Sequence, residues 1–194
     1  NDFKITYNYP LYTELPQRVV EGSDGTIVAL MGTEVIIEAR TVDKVDRAFL
    51  IYSDNGSKSQ PMVIELKVRD NKFVTGRLSL LQSGSYYYSV ETANGKKVTD
   101  MVRYPIEVEV DQLPKIIMDD PISDVEIKDS RKLMISYRAT DDFGIDKITL
   151  VYSSDSNGTD NSKSHREIIW ESGNNNKKRA ANYFWSIDKL ALDE

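Results

Sequence analysis

The segments "VDRAFLIYS" (residues 45–53) and "IDKITLVYS" (residues 145–153) carry one pattern twice, one hundred positions apart. Val45-Asp46-Arg47 falls on Ile145-Asp146-Lys147, and Leu50-Ile51-Tyr52-Ser53 falls on Leu150-Val151-Tyr152-Ser153. Each run is rich in β-branched and aromatic residues and lies between Asp-, Asn- and Gly-bearing stretches, the composition of a strand between turns. The likeness spreads outward. "VIIEART" (35–41) matches "LMISYRAT" (133–140) in pattern, and "NKFVTGRLSL" (71–80) resembles "NYFWSIDKL" (182–190) around Phe73 and Phe184. A period near one hundred is too long for a solenoid and suits two tandem sandwich domains.

The remaining chain agrees. "TEVIIEART" (33–41), "RAFLIYS" (47–53), "MVIELKV" (62–68), "KFVTGRLSL" (72–80), "SYYYSVET" (85–92) and "VRYPIEVEV" (102–110) alternate with period two and show no helical period. Turn signals separate them: Asp54-Asn55-Gly56, Asp70-Asn71, Ser83-Gly84 and Asn94-Gly95. The expected fold is all-β, two tandem immunoglobulin-like β-sandwiches. The first takes residues 1–110 with an N-terminal extension, and the second takes 111–194. The boundary falls in "VEVDQLPKI" (108–116), where Pro114 cannot donate to a ladder and stiffens the crossing.

The repeat also predicts a gap. In the first copy "KFVTGRLSL" is followed by two further strands, whereas the second copy runs only to "WSIDKLALDE" (185–194). The second sandwich is therefore expected to lack its last strands and to expose sheet edges that invite pairing. The opening "NDFKITYNYP" (1–10), already strand-like, points to a segment of a longer polypeptide.

"SGSYYYSV" (83–90) carries a fold signature. In immunoglobulin-like sandwiches a Tyr near the start of strand F bonds back to the preceding corner, and the residue two further on faces the core. Gly84, Tyr86 and Tyr88 fit, with Tyr88 in the place a cysteine takes in antibody domains. A three-ring stacking platform is disfavoured, because alternation puts Tyr87 on the face opposite Tyr86 and Tyr88.

In order, "YPLYTELPQ" (9–17), "GTIVALMGTEVIIEA" (25–39), "SGSYYYSVE" (83–91), "YPIEVEVDQLPKI" (104–116) and "YRATDDFGIDKITLVY" (137–152) resemble the extracytoplasmic part of large membrane-anchored bacterial proteins of unknown function. The resemblance covers nearly the whole chain and departs from the family where the second domain's closing strands are absent. It implies Ig-like domains, a bacterial periplasmic or cell-surface location and an N-terminal membrane anchor outside these residues. It implies no activity and no catalytic residues.

Composition narrows the chemistry. A net charge of −6 argues against a phosphate-tracking surface, so no nucleic-acid partner is expected. No window approaches the ~18-residue apolar run of a spanning helix. With no cysteine, disulfides, thiolate metal sites and cysteine nucleophiles all drop out, while the compartment stays open. The single histidine, His165, stands where a Ser/Asn/Asp-rich loop enters a strand and reads as an exposed loop-end residue.

The letters D-F-G at 142–144 match a kinase signature, yet the Gly-rich loop, strand lysine and catalytic-loop Asp that a kinase needs are missing. Asp141 and Asp142 read instead as the turn between the second domain's B and C strands, with Gly144 at positive φ. A calcium site joining them to Asp111 in the linker is the rival reading, and no cofactor is favoured.

Glu34 and Glu38 read as a solvated stripe. "GNNNKKRAAN" (173–182) reads as a polar hairpin tip, and the sequon-like Asn55-Gly56-Ser57 and Asn157-Gly158-Thr159 as turns. The function expected is non-enzymatic: a spacer, or a module that docks a protein or other domains of its own chain through a sheet edge. A carbohydrate-binding or adhesive module is the alternative, and Trp170 and Trp185 are the residues that would serve it.

Overall fold

A computed structural model describes residues 3–55, 60–92, 94–126, 131–153 and 164–190. The chain divides into two compact units, Asn1–Asp111 and Gln112–Glu194. Among the described residues there are strands and two short 3-10 turns but no α-helix, so the fold is all-β.

The first unit holds β1 (Phe3–Asn8), β2 (Arg18–Ser23), β3 (Ile27–Leu30), β4 (Glu34–Arg40), β5 (Arg47–Asp54), β6 (Met62–Arg69), β7 (Phe73–Ser79), β8 (Gly84–Glu91), β9 (Lys97–Thr99) and β10 (Tyr104–Glu109). They form one curled sheet in the order β2-β1-β4-β7-β6-β5-β8-β10-β3, with β9 beside β8. Neighbours are antiparallel except β10 and β3, which run parallel. The sheet folds over at β6: residues 62–66 lie opposite β5, while Lys67, Val68 and Arg69 lie opposite β7. Two layers thus face each other.

Alternation fills the space between them. Phe3, Ile5 and Tyr7 of β1 and Val35 and Ile37 of β4 point inward to meet Leu50, Tyr86, Tyr104 and Ile106 from the other layer. Each fully buried aliphatic or aromatic side chain of this kind contributes about 1.5–3 kcal/mol. Outside, Glu34 pairs with Arg77 at 3.7 Å and Glu38 with Lys4 at 3.4 Å, half-exposed contacts that add little stability. Between β6 and β7, Asp70 and Asn71 both take positive φ (51° and 54°), and Lys72 N–H bonds the Arg69 carbonyl at 3.1 Å. Asp and Asn tolerate that conformation, so the turn is tight.

Among the described residues the second unit is one sheet of three strands: β11 (Lys115–Asp120), β12 (Lys132–Ser153) and β13 (Ser164–Ser186), in that order. A bidentate pair ties β11 to β12, with Arg138 Nε and Nη2 each donating to Asp119 at 2.7 Å. Its small core gathers Tyr137, Ala139, Ile145 and Ile148, with Trp170, Ala181 and Tyr183 packed against them.

Two expectations need correction here. Residues 141–144 do not join two separate strands: β12 runs through them as a wide bulge. Thr140 pairs with Lys178 and Ile145 with Asn176, so residues 141–144 stand opposite Lys177 alone. Likewise "GNNNKKRAAN" is no hairpin tip but part of β13. Lys178, Arg179, Ala180, Ala181 and Asn182 pair with Thr140, Ala139, Arg138, Tyr137 and Ser136. The reason is the same for both. A polar stretch joins a ladder when a neighbouring strand offers its backbone donors and acceptors, which satisfies more groups than a loop would.

Candidate interaction surface

β12 supplies the surface. Its first half is flanked on both sides, by β11 opposite residues 136–140 and by β13. Its second half, the repeat segment 145–153, pairs with β13 and, among the described residues, with nothing on its other edge. The corresponding strand of the first unit, β5, is paired on both edges, with β6 and with β8. Equivalent side chains therefore meet different surroundings. Leu50 is 1 % exposed, while Leu150 is half-buried; Ile51 is 9 % exposed, and Val151 is 56 % exposed.

Apolar side chains of β11, beside this edge, are also exposed. In the first unit Phe3 sits opposite Ala39 and Ile5 opposite Ile37, and both are closed over. Phe3 meets Tyr88 of β8 at 5.8 Å and Tyr104 of β10 at 5.0 Å, centroid to centroid. In the second unit Ile116 and Met118 take the same role opposite Ala139 and Tyr137, yet they are 60 % and 49 % exposed. No sequence signal marked Ile116 and Met118, because their apolar pattern is that of any core strand.

The candidate residues are placed as follows. Gly84 opens β8, where a side chain would run into the Ser53 carbonyl and lie 2.9 Å from the Asp54 Cα, so the close approach of β5 and β8 requires glycine. Tyr86 is fully buried and its hydroxyl donates to the Gly25 carbonyl at 2.7 Å, not to the corner before β8. That corner is held by Tyr52, opposite Tyr86 in register, which donates to the Gln82 carbonyl at 2.7 Å. The inward side chain of Tyr86 crosses the core, leaving the corner to its neighbour. The Tyr88 hydroxyl is buried and faces that of Tyr86. Burial pushes both phenols above their usual range.

Pro114 is exposed and immediately precedes β11. Asp141 Oδ2 accepts the backbone N–H groups of Phe143 and Gly144 at 3.0 and 2.7 Å, and Gly144 has φ 137°. Its carboxylate is thus engaged by the backbone of the bulge, while Asp142 is exposed. Asp111 belongs to the first unit and Asp141 and Asp142 to the second. Within either unit, among the described residues, no three His, Asp or Glu side chains gather at metal-binding distance.

His165 is exposed at the start of β13 and stacks on Tyr152 at 5.4 Å. Trp185 is buried against Tyr152 at 4.8 Å, and Trp170 is half-buried beneath the Arg179 guanidinium at 4.5 Å. Neither offers the open ring that a sugar-stacking row would use. Gly56, Ser57 and residues 157–159 lie outside the described residues.

The first unit also has a cavity of about 460 Å³ whose walls include Phe3, Val45, Val74, Tyr88, Val90 and Tyr104. Among the described residues no helix is long and apolar enough to cross a membrane. No family model matches the sequence, and no curated protein matches it significantly.

Proposed function

We propose that this chain is a non-catalytic interaction module, an Ig-like tandem that docks a protein partner through the open edge of its second unit. The observation that carries this reading is the unpaired 145–153 edge beside the exposed Ile116 and Met118. An exposed edge with an apolar flank is a ready template for an added strand.

Strand order supports the Ig-like reading of the first unit. β4 pairs with β7 in one layer and β5 with β8 in the other, and β8 continues to β10. This order agrees with the B–E and C–F–G arrangement expected of an immunoglobulin sandwich. The second unit has the early strands of that plan and, among the described residues, no counterpart of β8 or β10, so it reads as an incomplete sandwich. A bacterial envelope location, on a membrane-anchored parent, rests on the sequence resemblance.

Hydrogen exchange of the whole chain tests the open edge. The amides of 145–153 that point away from β13 should exchange far faster than the amides of Arg47–Asp54, which are paired on both sides. Equal protection of the two segments would remove the docking reading.

A further inference from the structure

We infer that the partner of the 145–153 edge is an antiparallel strand of the pattern aromatic–x–aromatic–x–small aliphatic, the pattern of β8. The inference rests on the docking reading above and specifies what that edge selects. Its basis is the internal repeat, in which the first unit displays a strand already seated on the edge that the second unit leaves open.

The register of that seated strand can be read off. Tyr86 lies opposite Tyr52, Tyr88 opposite Leu50, Val90 opposite Ala48 and Glu91 opposite Arg47. The second unit presents Tyr152, Leu150, Ile148 and Lys147 in the same order and spacing. Arg47 is paired with Glu65 of β6, and Lys147 lies opposite Glu171 of β13, so the basic end of each edge already has an acidic neighbour and sets no charge on the incoming strand. Ile148 fills more space than Ala48, so the residue opposite it must be no larger than valine.

The aromatic positions follow from depth. In the first unit, the residues that cover Phe3 are Tyr88 and Tyr104, rings long enough to cross from one layer to the other. Ile116 and Met118 stand in the corresponding place, and a short aliphatic residue on the incoming strand would leave them wet. Aromatic side chains bury about 150–250 Å² each and suit this span. In such strand additions the main-chain bonds supply affinity, and the alternate side chains supply selection.

A second copy of the chain is a poorer occupant. Its own open edge brings one aromatic residue, Tyr152, which is already packed on Trp185 and His165.

The test uses the full chain and a synthetic peptide of residues 84–91, "GSYYYSVE", carrying a lysine tail for solubility. Amide exchange is followed by mass spectrometry on segments covering 145–153 and 115–120. At ten times its Kd the peptide should slow exchange of the edge amides about tenfold, with a change in Trp185 emission. An isomeric peptide with the alternation scrambled should do neither. Equal slowing by the scrambled peptide overturns the inference and leaves edge docking in place. Slowing that grows with chain concentration alone also overturns it, by making the second copy the occupant. No slowing with either peptide, with the edge amides still fast, overturns the selected pattern. Edge amides already slow in the chain alone overturn the docking reading itself.

Discussion

Replacing Tyr86 by Phe tests the core of the first unit, because one buried hydroxyl there joins two distant parts of the chain. Its hydrogen bond to the Gly25 carbonyl is 2.7 Å long and fully buried. Losing such a bond costs about 1 kcal/mol net, and leaving the carbonyl unpaired in the interior raises the cost to about 1–3 kcal/mol. At about 4 °C per kcal/mol for a unit of this size, the melting temperature should fall by about 4–12 °C. The two tryptophans, Trp170 and Trp185, both lie in the second unit, and eight of the eleven tyrosines lie in the first. Near-ultraviolet tyrosine dichroism therefore follows the first unit, while tryptophan emission follows the second. Tyr86→Phe should lower the tyrosine transition and leave the tryptophan transition in place. An unmoved tyrosine transition would refute the reasoning, since it would mean the hydroxyl contributes nothing across the core.

Gly84→Ala should destabilise the first unit by about 1–3 kcal/mol or more, because the new methyl meets backbone at Ser53 that cannot swing aside; a normal urea midpoint would contradict that close approach.

Burial raises the pKa of Tyr7, Tyr52, Tyr86 and Tyr88, so the folded unit holds these phenols neutral. The unfolded chain ionises them near pH 10. This contribution to stability is therefore complete below pH 10 and is lost as pH rises through the higher folded values, so urea midpoints should fall between pH 9 and about 11.5. Calcium at 10 mM should leave the tryptophan transition unchanged, because Asp141 is engaged by backbone N–H groups. A site with a Kd of 0.1 mM would instead add about 2.7 kcal/mol.

Much of the strand content was legible because alternation and turn chemistry are local. β4 through β8 and β10 follow runs readable in the sequence, and Asp70 and Asn71 form the turn their side chains favour. The misreadings cluster where composition and pairing disagree. "TDDFG" and "GNNNKKRAAN" have the composition of loops, yet each is drawn into a long strand by the backbone of the other's neighbourhood. The partner of Tyr86 was equally hidden, since Gly25 lies 61 residues upstream, in the connection between β2 and β3. For the candidate surface, the repeat pointed to missing neighbours, while the exposure of Ile116 and Met118 appeared only with the strands in place.

By itself, the sequence determined the class of structure. Period-two patterning, turn dipeptides and a repeat at one hundred positions commit these residues to strands and make residues 145–153 a second version of 45–53. What only the tertiary structure decided is what those two versions do. Leu50 and Leu150 are the same residue in the same local pattern, yet one lies sealed in the core on a strand flanked by β8 and the other stands beside an open edge. Burial belongs to the neighbours a strand acquires, and those neighbours are set by pairing between distant parts of the chain.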